Sequence, residues 1–296
     1  MSTTLHAKIS RAFRIRGEGV RQVYFQARRA GNLLHDSPRR SAFRQLPAPP
    51  FSISRNDGYL VVPPGRFDET PGVVADARAA LAAFDAAVPP GGKNRKRFLV
   101  NVRDAATLTL ESPVMRLALR DDVLAAVSTY LGMVPFLSTI SVFHSDTVPG
   151  DPTSSQLHHC DGDDVTQVKI FVYCSDVDPP SGPLTVLDAA SSARVRKAVG
   201  YQFRQRLTDQ QVAAVLGPGA DRPILGPSGT AAFLDTSRCF HYGSRVAPDA
   251  PARLVTMIQY QTPYSFMLPR SERASLPFRR LVVSSLPRLQ RLVLGE

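Results

Sequence analysis

From Phe136 onward the chain is a succession of short β-rich runs broken by Gly, Pro and Asp. "FLSTISVF", "VTQVKIFVYCSDV", "GPLTVLD", "GTAAFLDT" and "RLVTMIQYQT" follow one another in this way. Short strands of this kind must pack against one another as layered sheets. Earlier in the chain, "DGYLVV" reads as a turn into a strand and "RFLVNV" as a strand. Thr70-Pro71 opens a predicted helix through about Phe84, with proline at its first position. Ser112-Pro113 starts another, which ends at Gly132. Segment 193–216 reads as helical, with Thr208 capping it and Gln211 three residues on. Helices first and many short strands later predict a mainly β fold with flanking helices. Jelly rolls and cupins are the common solution for that pattern.

The length of 296 residues suits one large domain or two modest ones, and 43% apolar residues supply a core. No stretch of about 18 apolar residues occurs, so no transmembrane segment is expected. The N-terminus "MSTTLHAKISRAFRIRG" lacks the apolar run of a secretory signal, although it is Arg-rich and acid-poor like a transit peptide. Cys160, Cys174 and Cys239 form no disulfide framework, which points to a reducing cytoplasm.

The net charge of +11 sits at the two ends: residues 1–46 hold ten Lys/Arg and two Asp/Glu, and residues 270–296 hold six Arg and two Glu. The chain therefore divides into a basic N-terminal extension (1–50), a central domain (51–269) and a basic C-terminal tail or helix (270–296). In the extension, a basic amphipathic helix is predicted over 7–34, weakened by Gly17 and Gly19 and followed by a stiff joint at Pro47, Pro49 and Pro50. The basic ends suit an acidic partner or an anionic membrane surface. No zinc-finger spacing or RNA-binding aromatic motif supports nucleic acid. Leu286, Leu289, Leu292 and Val293 form an apolar stripe, read either as a helix packed on the domain or as an interfacial anchor.

"QLHHCDGDD" (156–164) concentrates two of the six histidines, a cysteine and three aspartates in nine residues. Alternation along a strand puts His159 and Asp161 on one face, with His158 and Cys160 on the other. His241, in "DTSRCFHYGSR", is the only downstream histidine. Two imidazoles and a carboxylate on one side of an ion leave its other positions open, as in non-haem Fe(II) oxygenases. Structural zinc sites are instead closed by four ligands. Such an iron can take a bidentate 2-oxo acid and then O₂. The co-substrate's far carboxylate needs a cation, and Arg offers a planar fork. Arg253, opening "RLVTMIQY", is the first choice, and Arg245 is its rival.

The ordered set His159-Cys160-Asp161, "VKIFVYCSDVDPPSGPLTVL" and "DTSRCFHYGSR…RLVTMIQY" resembles the phytanoyl-CoA dioxygenase family of Fe(II)/2-oxoglutarate oxygenases. "DGYLVV" matches that family's opening strand, and the resemblance covers roughly residues 55–265. It implies a double-stranded β-helix. It also implies oxidation of a substrate C–H bond coupled to decarboxylation of 2-oxoglutarate. Fe(II) would be held by His159, Asp161 and His241, and 2-oxoglutarate by Arg253. The expected activity is hydroxylation of an aliphatic carbon in a small-molecule or carrier- or lipid-linked substrate. Halogenases lack the carboxylate that Asp161 supplies. Two departures concern the pocket: His158 precedes the first ligand where an aromatic is usual, and "LDAASS" (187–192) replaces a "GSH".

Other readings stand beside this one. His144-Ser145-Asp146 is a second H-x-D, read as a surface or loop pair. Cys160 and Cys239 with the two ligand histidines would make a zinc site, but alternation opposes it. His158 reads as a pocket wall or a solvated residue, and Lys169 as solvent-facing or reaching the co-substrate. Asp163 or Asp164 is a turn residue or orients a ligand histidine, and Asp235 braces the loop before His241. From a different class, the chain could be a non-catalytic jelly-roll binding or membrane-associated protein with a remnant site.

Overall fold

The computed structural model describes residues 5–87, 98–148, 150–268 and 270–296. Residues 1–4 of the transit-like N-terminus and Arg97 of "RFLVNV" lie outside them. In chain order the helices are α1 (Leu5–Arg14), α2 (Glu18–Gly31), α3 (Ser37–Arg44), α4 (Thr70–Ala87), α5 (Pro113–Ala118), α6 (Asp121–Leu131), α7 (Ala189–Val199), α8 (Asp209–Leu216) and α9 (Arg288–Leu294). The strands are β1 (Tyr59–Val62), β2 (Val100–Asn101), β3 (Phe136–Ser145), β4 (Gln167–Tyr173), β5 (Thr185–Val186), β6 (Arg222–Pro223), β7 (Ala231–Leu234), β8 (His241–Tyr242) and β9 (Arg253–Gln261).

The strands form two antiparallel sheets, ordered β1-β7-β4-β9-β3-β2 and β6-β5-β8. Period-2 alternation sorts the large sheet into two faces. Val168, Ile170 and Val172 of β4, with Ile258 and Tyr260 of β9, join a core shared with Val114, Leu117, Val123, Leu124 and Val127 of α5 and α6. Lys169, Phe171 and Tyr173, with Arg253, Val255 and Met257, line a cavity on the other face. In β3 a register shift between Leu137 and Thr139 changes the parity, so Leu137 and Ile140 both reach the helical core. The fold is thus a strand scaffold with flanking helices, one face of its large sheet closed by helices and the other turned to the site.

Local chemistry explains where elements depart from the sequence reading. The helix expected over 113–132 is two helices, because Arg120 is extended (φ −60°, ψ 138°) and Asp121 and Asp122 favour a new N-terminus. Its end at Gly132, left-handed at φ 74°, is as expected. The helix expected over 7–34 breaks at Gly17, which is extended (φ −65°, ψ 160°) and bridges to Gln202. Segment 193–216 also splits into α7 and α8, with Gly200 left-handed at the end of α7 and Thr208–Gln211 forming the capping box. "RFLVNV" contributes only the two residues of β2. Helix α3, unforeseen, occupies part of the N-terminal extension.

Part of the terminal basicity is directed inward. Arg21, Arg28, Arg39 and Arg273 are all buried. Arg39 donates to the carbonyls of Val134, Pro135 and Leu292 and lies 3.5 Å from the Phe136 ring centroid. Burial, then neighbouring Arg273, push its pKa down to about 9. At the other end Leu292, Val293 and Leu294 are buried, and Leu286 and Leu289 pack against the same core. The C-terminal stripe is therefore packing and not an interfacial anchor.

Arg39→Gln removes a fork that satisfies three carbonyls from two distant segments. The expected loss is about 2–4 kcal/mol of unfolding free energy, read from urea denaturation followed by circular dichroism.

Candidate metal centre

His159 and His241 lie 82 positions apart and face each other across an isolated antiparallel bridge. The backbone bonds are reciprocal: His159 N–H donates to His241 O at 3.1 Å, and His241 N–H to His159 O at 3.0 Å. The two rings sit 4.3 Å apart, centroid to centroid. Asp161, two residues along, projects on the same side, as alternation requires. Its Oδ1 is 3.8 Å from His159 Nε2 and its Oδ2 is 3.9 Å from His241 Nε2. Among the described residues these three side chains are the group of His, Cys, Asp or Glu whose donor atoms converge, all within 4.8 Å of one another.

Each imidazole is aimed by a backbone carbonyl two residues earlier. His159 Nδ1 lies 2.9 Å from Leu157 O, and His241 Nδ1 lies 3.1 Å from Cys239 O. A carbonyl only accepts, so Nδ1 carries the proton and Nε2 presents its lone pair to the centre. Neither Asp163 nor Asp164 makes these bonds; Asp164 accepts from Thr262 and Val165 instead. Burial, then His241, push the His159 pKa down to about 3, and burial likewise lowers that of His241. Both rings are neutral at neutral pH, the form a metal requires.

Asp161 is held in the charged form. Burial opposes this, but Lys169 above all keeps its pKa below the ordinary carboxylate range. Lys169 Nζ lies 2.8 Å from Asp161 Oδ2, and Gln167 Nε2 donates to the same oxygen at 3.3 Å. Lys169 is 15% exposed. It is thus not solvent-facing, and it pairs with a candidate ligand. The signal was present in β4: alternation puts Lys169 on the face of Phe171 and Tyr173, opposite Val168, Ile170 and Val172.

A cavity of about 220 Å³ is lined by His159, Asp161 and His241 and also by Lys169 and Arg253. Arg253 is 6% exposed. Its Nη2 donates to Ser244 Oγ at 3.0 Å, and its Nε has no hydrogen-bond partner. Burial lowers its pKa, with only Tyr173 opposing. Gly243 leaves room for the fork, since a Cβ there would sit 3.2 Å from Nη2. Arg245 is committed elsewhere: both terminal nitrogens donate to Asp209 at 2.8 Å, and the guanidinium stacks 3.6 Å over Tyr242.

The remaining candidates fall outside the centre. His158 is 1% exposed, with Nε2 2.9 Å from Asp221, and its ring meets Tyr242 edge-on. It is neither solvated nor in the cavity wall. Cys160 lies on the opposite face beside Arg196, and Cys239 donates to Asp57 O, so no cysteine closes the site. His144-Ser145-Asp146 joins no group of three converging donors among the described residues. Asp235 braces the loop before His241, accepting from Tyr130, Thr166 and the backbone of Gln167, Ser237 and Arg238.

No family model matches this chain, and no curated protein is similar to it in sequence. Among solved structures, EctD from S. alaskensis in its apoform superposes with a TM-score of 0.50 at 19% identity, over 71% of this chain and 77% of that one. HygX from Streptomyces hygroscopicus, with nickel and 2-oxoglutarate bound, gives 0.47 at 19% identity, over 72% and 88%. SnoN, a non-heme alpha ketoglutarate dependent epimerase from nogalamycin biosynthesis, gives 0.46 at 20% identity, over 75% and 84%. The match to EctD shows a shared fold, and the expected β scaffold with flanking helices stands.

Lys169→Met leaves the Asp161 carboxylate without its cation. The expected cost is about 3 kcal/mol in metal-free protein. Divalent cobalt should restore a larger increment of Tm in this variant than in the wild type. Thermal melts with and without the ion check both points.

Proposed function

We propose that this chain is an Fe(II)- and 2-oxoglutarate-dependent oxygenase that hydroxylates an aliphatic carbon of a small-molecule or carrier-linked substrate. The observation that carries the reading is one cavity lined both by a two-histidine, one-carboxylate face and by a buried arginine with no carboxylate partner among the described residues. The donor set fits iron: two neutral nitrogens and one oxygen converge from one side, and among the described residues no fourth ligand closes the other. A structural zinc site does not fit, because both nearby thiols face elsewhere.

His159, Asp161 and His241 would hold the ion, which supplies O₂ activation coupled to oxidation of the 2-oxo acid to succinate and CO₂. Arg253 binds the distal carboxylate of the co-substrate through its fork, and Ser244 holds that fork in place. Lys169 and Gln167 engage one oxygen of Asp161 and orient the carboxylate. Phe143, Phe171, Val255 and Met257 give the cavity apolar walls that exclude water from the reacting carbon. The carboxylate at Asp161 favours hydroxylation over halogenation, since it takes the position a halide would need. The ordered motif from "DGYLVV" to Arg253 supports the phytanoyl-CoA dioxygenase family as the branch. Three buried free thiols suit the cytoplasm.

Purified protein given Fe(II), O₂ and 2-oxoglutarate is expected to form succinate even without its substrate, and His241→Ala to abolish this. Arg253→Leu should raise the KM for 2-oxoglutarate about 100-fold, the scale of a lost buried charge pair. Absence of succinate from wild-type protein loaded with iron would favour a binding protein with a remnant site. Turnover that is indifferent to Arg253→Leu would remove the 2-oxo acid from the mechanism.

A further inference from the structure

Among the buried charges, Arg21 on α2 binds the loop that follows Asp161 and has no role in the chemistry above. It is 1% exposed. Its guanidinium is sandwiched between Phe203, 3.6 Å away, and Phe266, 4.7 Å away. Among the described residues no carboxylate hydrogen-bonds it. Its fork is filled by three carbonyls: Nη1 donates to Gly162 O at 2.9 Å and to Arg14 O, and Nη2 donates to Asp164 O. Gly162 and Asp164 are in the loop that leaves Asp161. Arg14 is the last residue of α1, where helix carbonyls lack an intrahelical donor. One cation thus closes the end of α1 and ties the ligand loop to the α1–α2 pair.

The loop side shows matching complementarity. A Cβ on Gly162 would lie 3.0 Å from Arg14 O and 3.4 Å from Arg21 Nη1, so the loop approaches the helices as closely as glycine allows. Arg14 Nη1 lies 3.5 Å from Asp163 Oδ1. Ser10 Oγ donates to Phe266 O at 2.9 Å, while Phe266 N–H donates to Asp163 O at 2.9 Å. The loop is therefore held from α1, from α2 and from the segment after β9. On the other side Asp161 has one backbone tie, from its N–H to Thr236 O at 2.7 Å, in the loop before His241.

We infer that Arg21 is a positioning residue for the metal centre: it fixes the 162–164 loop and so sets where Asp161 presents its carboxylate. Residues 5–31 then belong to the metal-binding unit and are not a detachable basic extension. The inference rests on the reading of His159, Asp161 and His241 as metal ligands. Groups that orient ligands typically contribute 10- to 100-fold to metal affinity, and this sets the expected effect. Arg39 supplies the control. It is equally buried and also bound to carbonyls, but those carbonyls belong to 134, 135 and 292.

The test is a Co(II) titration of full-length protein, followed by visible absorption and calorimetry, for wild type, Arg21→Gln, Gly162→Ala and Arg39→Gln. Wild type should bind one equivalent. Arg21→Gln and Gly162→Ala should bind at least tenfold more weakly, with altered d–d bands. Arg39→Gln should lose comparable thermal stability yet stay within threefold of wild-type affinity. If Arg21→Gln and Gly162→Ala bind like the wild type, the positioning role is wrong. Equal weakening by Arg39→Gln would also overturn it, by making the effect one of general stability. Failure of wild type itself to bind one equivalent would instead remove the metal reading on which the inference stands.

Discussion

Two reciprocal backbone hydrogen bonds between residues 159 and 241 are the constraint on which the site depends. In an antiparallel pair, residues that exchange both bonds stand directly opposite with side chains on the same face. That geometry puts two imidazoles 4.3 Å apart without any attraction between the rings. Asp161 then follows from the pleat alone. A one-residue slip of either segment would turn its imidazole away from the cavity and bring a neighbour round in its place, His158 or Cys160 for His159 and Phe240 for His241. The register is pinned on both sides, by the His158–Leu207 bridge and by the Asp161 N–H bond to Thr236.

The electrostatics of the cavity follow from burial. Two histidines packed together in a low-dielectric wall stay neutral, while a carboxylate beside them stays charged because Lys169 contacts it. Arg253 is buried without an anion, which is costly unless a ligand supplies one. The cavity therefore holds one cation matched to a carboxylate and one cation for which the described residues provide no carboxylate partner. This asymmetry is what the proposed 2-oxo acid would resolve.

The arginines at the chain's N-terminus show how composition can mislead. Ten basic residues in the first 46 read as a stretch that faces an acidic partner or a membrane surface. Three of them, Arg21, Arg28 and Arg39, are instead buried and donate to backbone carbonyls at helix ends and loops. A planar fork with five donors can satisfy several carbonyls at once, and aromatic faces cover the rest of the group. Charge counts carry no sign of this, because nothing in the residue type tells a guanidinium facing solvent from one that caps a buried turn.

The sequence by itself determined the local facts. Alternation placed His159 and Asp161 on one face and Cys160 on the other. Turn residues marked the strand ends, and Thr208–Gln211 marked a cap. These depend on neighbours within a few positions, so local order specifies them. The ordered spacing of the H-x-D, the distal histidine and Arg253 was also legible, since it survives as a pattern along the chain. Only the tertiary structure decided that Arg253 and not Arg245 faces the cavity, that Lys169 pairs with Asp161, and that α1 and α2 grip the loop after Asp161. Each of those depends on which carboxylate, carbonyl or ring arrives from a distant segment, and no period in the sequence encodes that meeting.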